Sequence, residues 1–335
     1  MKELIKKLTE ISSPSGREDS IREIIISEIK DHVDEYKVDN LGSVIALKKG
    51  TSGKKILFDG HMDEIGLVVT NIDDKGFLRV ESVGGVSPYI LLGSHLRFEN
   101  DVTGVVGVES ETMKDAGKNI KELNYDLLYV DIGAVNKEDA EKKISVGTFG
   151  TYDSRFYDLG KRLVSKAMDD RIACAIMIQA IKEIEKPKDD IYFAFTVQEE
   201  VGLVGASVAG FDIKPDMAIA LDVTAGPDTP KGFKRMGFKL GGGPTIKIKD
   251  MASISASSVV SKLKSVAEKN NIPYQYEILI FGGTNAKGYQ TTGAGIPSGT
   301  VSIPCRYVHS PHEMVDYDDV LNSVKLLKSV AKEEV

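Results

Sequence analysis

The sequence predicts an α/β protein whose mostly parallel central sheet is flanked by helices and interrupted by a small inserted β-barrel. Three observations predict this. Apolar runs alternate with helix-spaced segments near the start of the chain. From about Leu67 to Phe156 the texture changes to short β-branched runs separated by Gly, Asp and Asn. Helix–strand alternation then resumes at about Lys161. Such alternation points to a parallel sheet covered by helices, and closely spaced short strands point to a barrel or sandwich.

Taken in order, a first helix runs from about Lys2 to Ile11 and is broken by Ser12-Ser13-Pro14-Ser15-Gly16, because Pro and Gly disfavour its continuation. Ile21, Ile24, Ile25 and Ile29 mark a second helix. Two strands flank Asn40-Leu41-Gly42, and Ile56-Leu57-Phe58 leads into Asp59-Gly60-His61-Met62-Asp63-Glu64. Within the insert, Leu67–Val69, Phe77–Val80, Val102–Val108 and Leu127–Ile132 read as strands. Beyond it come a long helix over about Asp169–Lys186, strand Ile191–Val197, a Gly-containing helix, strand Met217–Leu221 and helix Ser255–Asn270. Strands Tyr274–Ile280 and Thr300–Ile303 and a terminal helix from Asp318 complete the order. The sheet domain therefore takes residues 1–66 and 157–335, and the insert residues 67–156.

A chain of 335 residues can bury a large core and form two domains. Its 41% apolar and 28% charged residues are those of an ordinary globular protein. A net charge of −7 with mixed signs excludes a basic nucleic-acid binder and an anionic-membrane binder. Two cysteines, Cys174 and Cys305, make no disulfide framework and suit a reducing cytoplasm. The segment Met1–Lys7 lacks the apolar run of a signal peptide, and no apolar stretch reaches the ~20 residues of a spanning helix.

The chemistry lies in where polar residues follow apolar runs. Ile56-Leu57-Phe58 leads to His61 and Asp63, Tyr192–Val197 to Gln198-Glu199-Glu200, Met217–Leu221 to Asp222, and Val301–Ile303 to Arg306-Tyr307-Val308-His309. Open α/β sheets bind ligands beyond the carboxyl ends of their strands. Taken singly, each motif reads as an ordinary loop, and Glu199-Glu200 or Asp169-Asp170 as solvated surface. Taken together, acids directly after buried strands are costly unless neutralised, and imidazole with carboxylate suits Zn, Co or Mn.

Five ordered motifs carry a resemblance over essentially the whole chain: Asp59-Gly60-His61-Met62-Asp63-Glu64-Ile65-Gly66, Lys166-Ala167-Met168-Asp169-Asp170-Arg171, Gln198-Glu199-Glu200-Val201-Gly202, Ala220-Leu221-Asp222-Val223-Thr224 and Arg306-Tyr307-Val308-His309-Ser310. They resemble the M42 family of dinuclear metallo-aminopeptidases, which includes glutamyl, leucyl, lysyl and deblocking enzymes and some members labelled endoglucanase. The resemblance implies an α/β peptidase domain with an inserted β-barrel. It implies two divalent ions (Zn, Co or Mn) per subunit, with His61 and Asp222 on one ion, Glu200 and His309 on the other, and Asp169 bridging both. It makes Glu199 the general base for a metal-bridging water, and gives Asp63 the task of orienting His61. It also implies peptide substrates and a homo-oligomer of the tetrahedral dodecamer type, with the insert as the assembling part. Two such ions, about 3.5–4 Å apart, acidify water and polarise the scissile carbonyl. A glutamate that transfers protons is best kept free of the metal, so two adjacent glutamates can divide the tasks.

Other residues take no role. Cys174 and Cys305 read as core. His32 reads as a helix-end residue, His95 as structural within the insert, and His312 as surface. Gly241-Gly242-Gly243-Pro244 and Gly282-Gly283-Thr284 read as turns, since neither has the context of a phosphate loop. The chain departs from the family wording at Asn285, where an acid is usual, and at Ile172-Ala173, where a small pair with Gly is usual.

Two other readings compete. A glycoside hydrolase needs two carboxylates and no metal, whereas here histidines accompany the acids and no Trp is present to stack on sugars. A non-catalytic oligomeric shell would bind peptides or metal without turnover. Activity surviving chelation would favour the first, and inactivity with every residue and ion the second.

Overall fold

The computed structural model describes residues 1–110 and 123–333. Residues 111–122, within the expected insert, lie outside the described residues. The larger sheet runs in the order Glu35–Val38, Val44–Lys48, Asp190–Thr196, Lys55–His61, Met217–Ala225, Ser298–Arg306, Glu313–Asp316, Arg162–Ser165 and Tyr157–Asp158. Thr245–Lys249 also pairs with Ser298–Arg306 and carries Gln275–Ile278 on its far side.

The expected parallel order holds at the centre, across Asp190–Thr196, Lys55–His61, Met217–Ala225 and Ser298–Arg306. The flanking strands on either side pair antiparallel. The connections explain the difference. Parallel neighbours need long crossovers, here supplied by helices, whereas short turns join only antiparallel neighbours. In the first hairpin Asp39 Oδ1 accepts the N–H groups of Leu41, Gly42 and Ser43 at 2.9, 2.8 and 2.9 Å, and Gly42 supplies a φ of 106°.

Side-chain alternation covers both faces of the sheet. Ile56, Phe58, Ile191, Phe193, Phe195, Ile219 and Leu221 join the main core with the helices Lys2–Glu10, Asp19–Ile29, Met168–Glu183, Ser257–Lys269 and Tyr317–Ala331. Leu57, Ala194 and Ala218 pack on the other face against Ala206 and Ala209 of Val204–Ile213 and Tyr289 of Ala286–Gln290. By the same period Asp59, His61 and Asp222 share the face of Leu57 and Ala218.

Several boundaries differ from the sequence expectation. The long helix ends at Glu183, and its first turn is irregular at Asp169 and Asp170. The strand expected over Met217–Leu221 continues to Ala225, so Asp222 lies inside it. Thr300–Ile303 lengthens to Ser298–Arg306, while Tyr274–Ile280 shortens to Gln275–Ile278. Pairing partners, which local composition does not reveal, set these limits.

Between the first three strands of the larger sheet in sequence and its return, six strands close into an antiparallel barrel: Gly66–Ile72, Leu78–Val83, Leu128–Asp131, Thr103–Val108, His95–Phe98 and Phe149–Tyr152. Its interior holds Leu67, Val69, Leu78, Val80, Leu96, Phe98, Val106 and Val130. Closure leaves no free edge within it. Among the described residues no helix is long and apolar enough to cross a membrane.

Candidate metal centre

The parallel register brings the predicted residues together. Thr196 pairs with His61, so the chain leaving one strand toward Glu199 emerges beside the end of its neighbour. Met62 N–H donates to the Thr196 carbonyl at 2.8 Å, which holds both exits together. On the other side of Lys55–His61, Ala220 pairs with Asp59, so Asp222 extends two residues further toward the same crevice. Ser302 pairs with Asp222, and the chain beyond Arg306 turns His309 over the opening. The connecting loops use left-handed backbone at Ala167, Gln198, Leu203, Tyr307 and His309, a conformation non-glycine residues adopt only when surrounding contacts demand it. The Asp169–Asp170 peptide is cis.

His61, Asp63, Asp169, Glu199, Glu200, Asp222 and His309 thus meet at one crevice. Asp169 lies between the two histidines. Its Oδ1 is 3.1 Å from His61 Nε2, and its Oδ2 is 3.3 Å from His309 Nε2. Glu200 Oε2 is also 3.3 Å from His309 Nε2, and Glu199 Oε2 is 3.9 Å from His61 Nε2. His309 Nδ1–H donates to the Gly85 carbonyl at 3.0 Å, leaving Nε2 to face the acids. Gly85 belongs to the loop after the barrel strand Leu78–Val83, and a Cβ there would stand 2.5 Å from His309 Nδ1.

Asp63 organises the crevice from beneath. It accepts the N–H of Glu199 at 3.1 Å, the N–H of Glu200 at 3.3 Å and the hydroxyl of Ser15 at 2.6 Å. Its Oδ1 also faces His61 Nδ1 at 3.4 Å, longer than a good hydrogen bond. Asp170 is fully buried, and among the described residues neither of its carboxylate oxygens has a hydrogen-bond partner; the same is true of Glu200 Oε1.

The electrostatics follow from crowding. At His61 burial favours the neutral ring, but the carboxylates of Glu199, Asp169 and Asp63 outweigh it and hold the imidazole well above the usual histidine range. His309 is pushed up to about 12, against burial, by Glu200 and Asp169. Burial also opposes charge on Asp169, but the two imidazoles prevail and hold it well below the usual carboxylate range. Burial, and then neighbouring acids, push Glu199, Glu200, Asp170 and Asp222 upward.

This donor set fits divalent cations. Three groups could hold an ion: His61 with Glu199 and Asp222, His61 with Asp169 and Glu200, and Asp169 with Asp170 and Asp222. Two donors of one tetrahedral ion, each bonded at about 2.0–2.2 Å, stand about 3.3–3.6 Å apart, close to the 3.1–3.3 Å between imidazole and carboxylate atoms here. A cation would satisfy the buried oxygens that lack hydrogen-bond partners among the described residues. Cations would also relieve the mutual repulsion of the acids.

Beside the acids the crevice opens into a cavity of about 560 Å³. Leu203, Val223, Leu279, Phe281 and Val308 form its apolar wall. Arg306, near the mouth in sequence, is paired with Asp228 through Nε at 3.0 Å and Nη2 at 2.7 Å.

The M42 glutamyl aminopeptidase family model matches residues 42–326. This chain belongs to the M42 peptidase family. A protein of Acetivibrio thermocellus, named provisionally as an aminopeptidase, is 50% identical over 327 residues, covering 98% of this chain and 97% of its own. The aminopeptidase APDkam598 of the archaeon Desulfurococcus kamchatkensis shares the fold with a TM-score of 0.94 at 40% identity, covering 99% of this chain and 94% of that one. The TET1 peptidase of Pyrococcus horikoshii, whose description states that it can assemble into a tetrahedron or a large octahedral shell, matches with a TM-score of 0.87 at 36% identity, over 99% of both chains.

Some residues around the crevice of this M42 peptidase escape a reading of the sequence. Asp170 stands in a motif whose resemblance implies no role for it. Ser15 and Gly85 act on the crevice through one hydrogen bond each, and Glu313 through two, all from distant segments. For Gly85 a signal existed, the Gly84-Gly85 pair, whose missing side chains let the loop approach Glu200 and His309. The remaining histidines lie elsewhere. His32 and His95 are exposed, His95 on the outside of the barrel, and exposed His312 sits 3.4 Å from Ser154 Oγ. Cys174 and Cys305 are buried.

Proposed function

We infer that the chain is an aminopeptidase that removes N-terminal residues from peptides with two divalent ions of Zn, Co or Mn. The observation that carries this reading is Asp169, which presents one carboxylate oxygen to His61 and the other to His309. In this reading His61 and Asp222 would hold one ion and Glu200 and His309 the other, with Asp169 serving both. When bound, such ions acidify water and polarise a scissile carbonyl.

The chain's own groups do the rest. Glu199, 3.9 Å from His61 Nε2, takes a proton from the attacking water and delivers it to the leaving amine. Burial and its acidic neighbours raise its proton affinity, which suits a group that must accept and then release a proton. Asp63 fixes the main chain of Glu199 and Glu200 and faces the His61 ring, so it aligns base and ligand together.

The wall of Leu203, Val223, Leu279, Phe281 and Val308 supports a preference for an apolar first residue such as Leu, Met or Phe. The charge of Arg306 is occupied by Asp228, and Lys287 does not line the cavity. Burying an aliphatic side chain is worth about 1.5–3 kcal/mol, so Leu substrates are expected to exceed Glu and Lys substrates in kcat/KM by about tenfold or more. We also assign residues 67–156 to an inserted domain, with residues 1–66 and 157–335 forming the peptidase domain. The shells of the Pyrococcus horikoshii relative support assembly into a homo-oligomer of the tetrahedral dodecamer type.

The test is a panel of aminoacyl chromogenic substrates, run after chelation and after return of Zn, Co or Mn. Activity is expected only with metal and highest for apolar residues. Glu199→Gln is expected to keep both ions by elemental analysis while turnover falls about 10²–10⁴-fold, the usual contribution of a general base. Turnover near wild type in that variant would refute the assigned base. Inactivity of the metal-loaded chain across the panel would favour a non-catalytic shell.

A further inference from the structure

Glu313 opens the short strand Glu313–Asp316, pairs in register with Ser165, and is 1% exposed. Among the described residues no lysine, arginine or histidine pairs with its carboxylate. Its two oxygens instead go to main-chain donors from two distant segments. Oε2 accepts the N–H of Asp169 at 2.9 Å, and Oε1 accepts the N–H of His309 at 2.7 Å. Both donors sit where the backbone is irregular: Asp169 has φ −78° and ψ 103° within an otherwise helical run, and His309 has φ 63°. Neither segment is held there by a regular ladder, so what fixes one relative to the other matters.

We propose that Glu313 is a positioning residue whose carboxylate clamps the main chains of Asp169 and His309 together and so sets the spacing of their side chains. Those side chains meet at 3.3 Å between Asp169 Oδ2 and His309 Nε2. The inference rests on the reading above in that it takes both as donors to one ion. The geometry makes a specific demand on residue 313. It must offer two acceptor oxygens diverging toward two donors, which a carboxyl group on a side chain of this length supplies. A glutamine keeps the shape but turns one acceptor into an NH₂ group facing an N–H. An aspartate keeps the charge but falls short by one methylene.

Equilibrium dialysis with Mn, followed by elemental analysis and electron paramagnetic resonance, tests this on the full chain. Wild type is expected to take two ions per subunit with a spin-coupled signal. In Glu313→Gln, affinity for the ion shared by Asp169 and His309 should fall about 10–100-fold, the usual effect of losing a partner behind a ligand. The coupled signal should give way to that of isolated Mn. Glu313→Asp should show the same loss, which keeps the test decisive if the Gln variant folds poorly. A residue that serves folding alone would lower the melting temperature of the metal-free protein and leave affinity and coupling unchanged. Wild-type stoichiometry, affinity and coupling in either folded variant would overturn the clamp while leaving the metal centre intact. A wild-type chain that binds no ions would overturn the metal reading and the clamp with it.

Discussion

Asp59 shows what burial does to a single carboxylate beneath the crevice. It is fully buried, accepts the Thr196 hydroxyl at 2.8 Å, and Thr196 in turn accepts from Asn285 Nδ2 at 2.9 Å. Burial pushes Asp59 up to about 6 from an ordinary value of 3.8, and the hydrogen bonds only partly offset this. A carboxyl raised in the folded state favours folding most when protonated. Its contribution is complete below about 3.8 and is lost as pH rises through about 6. In metal-free protein Asp59→Asn should therefore flatten the fall in melting temperature over that window, and calorimetry showing the same slope as wild type would refute the assignment. The chain also explains Asn285, where family members usually carry an acid. A carboxylate there could not donate to Thr196 and would lie close to another buried acid. At this scale the sequence exposed residues whose type announces a task, such as His61, Glu199 and Glu200. It hid Ser15, Gly85 and Glu313, whose hydrogen bonds reach across 48, 224 and 144 positions of chain to Asp63, His309 and Asp169.

At the scale of elements, the start of the long helix is tied to the N-terminal loop by a buried ion cluster. Lys166 Nζ donates to Glu64 Oε2 at 2.7 Å, and Arg171 Nη2 lies 3.4 Å from Glu64 Oε1. Arg171 also donates to the carbonyls of Leu8 and Ser13 at 2.7 and 3.1 Å. All three charged side chains are nearly inaccessible. Removing one partner of such a group leaves the others charged without compensation, a loss of about 3–5 kcal/mol. Glu64→Ala is expected to lose that much stability by denaturant titration, whereas removing an exposed partner such as Asp101, paired with Arg97, should cost well under 1 kcal/mol. Existence and order of the elements were legible because apolar period and Gly or Pro breaks are local properties. The extension of Met217–Ala225 past Asp222 was not, because its last residues are held by pairing with Ser298–Arg306, a strand some eighty positions away in sequence. The irregular first turn of Met168–Glu183 was equally hidden, since its shape answers to the crevice rather than to helix propensity.

For the molecule as a whole, the change in texture near Leu67 foretold a barrel, while its closure and strand order depended on pairings no local signal encodes. The parallel centre and antiparallel flanks of the larger sheet divide in the same way. The assembly proposed from the relatives predicts that the purified chain sediments far above the 36.4 kDa of one copy. A single species at that mass in analytical ultracentrifugation, at micromolar concentration with metal present, would contradict it. The Gly85 carbonyl gives the barrel a further hold on the chemistry. It works like an outrigger, bracing the His309 ring from a body that the chain enters and leaves beside the larger sheet. A substitution that shifts this loop would therefore reach the imidazole directly, because the Gly85 backbone is in contact with the ring.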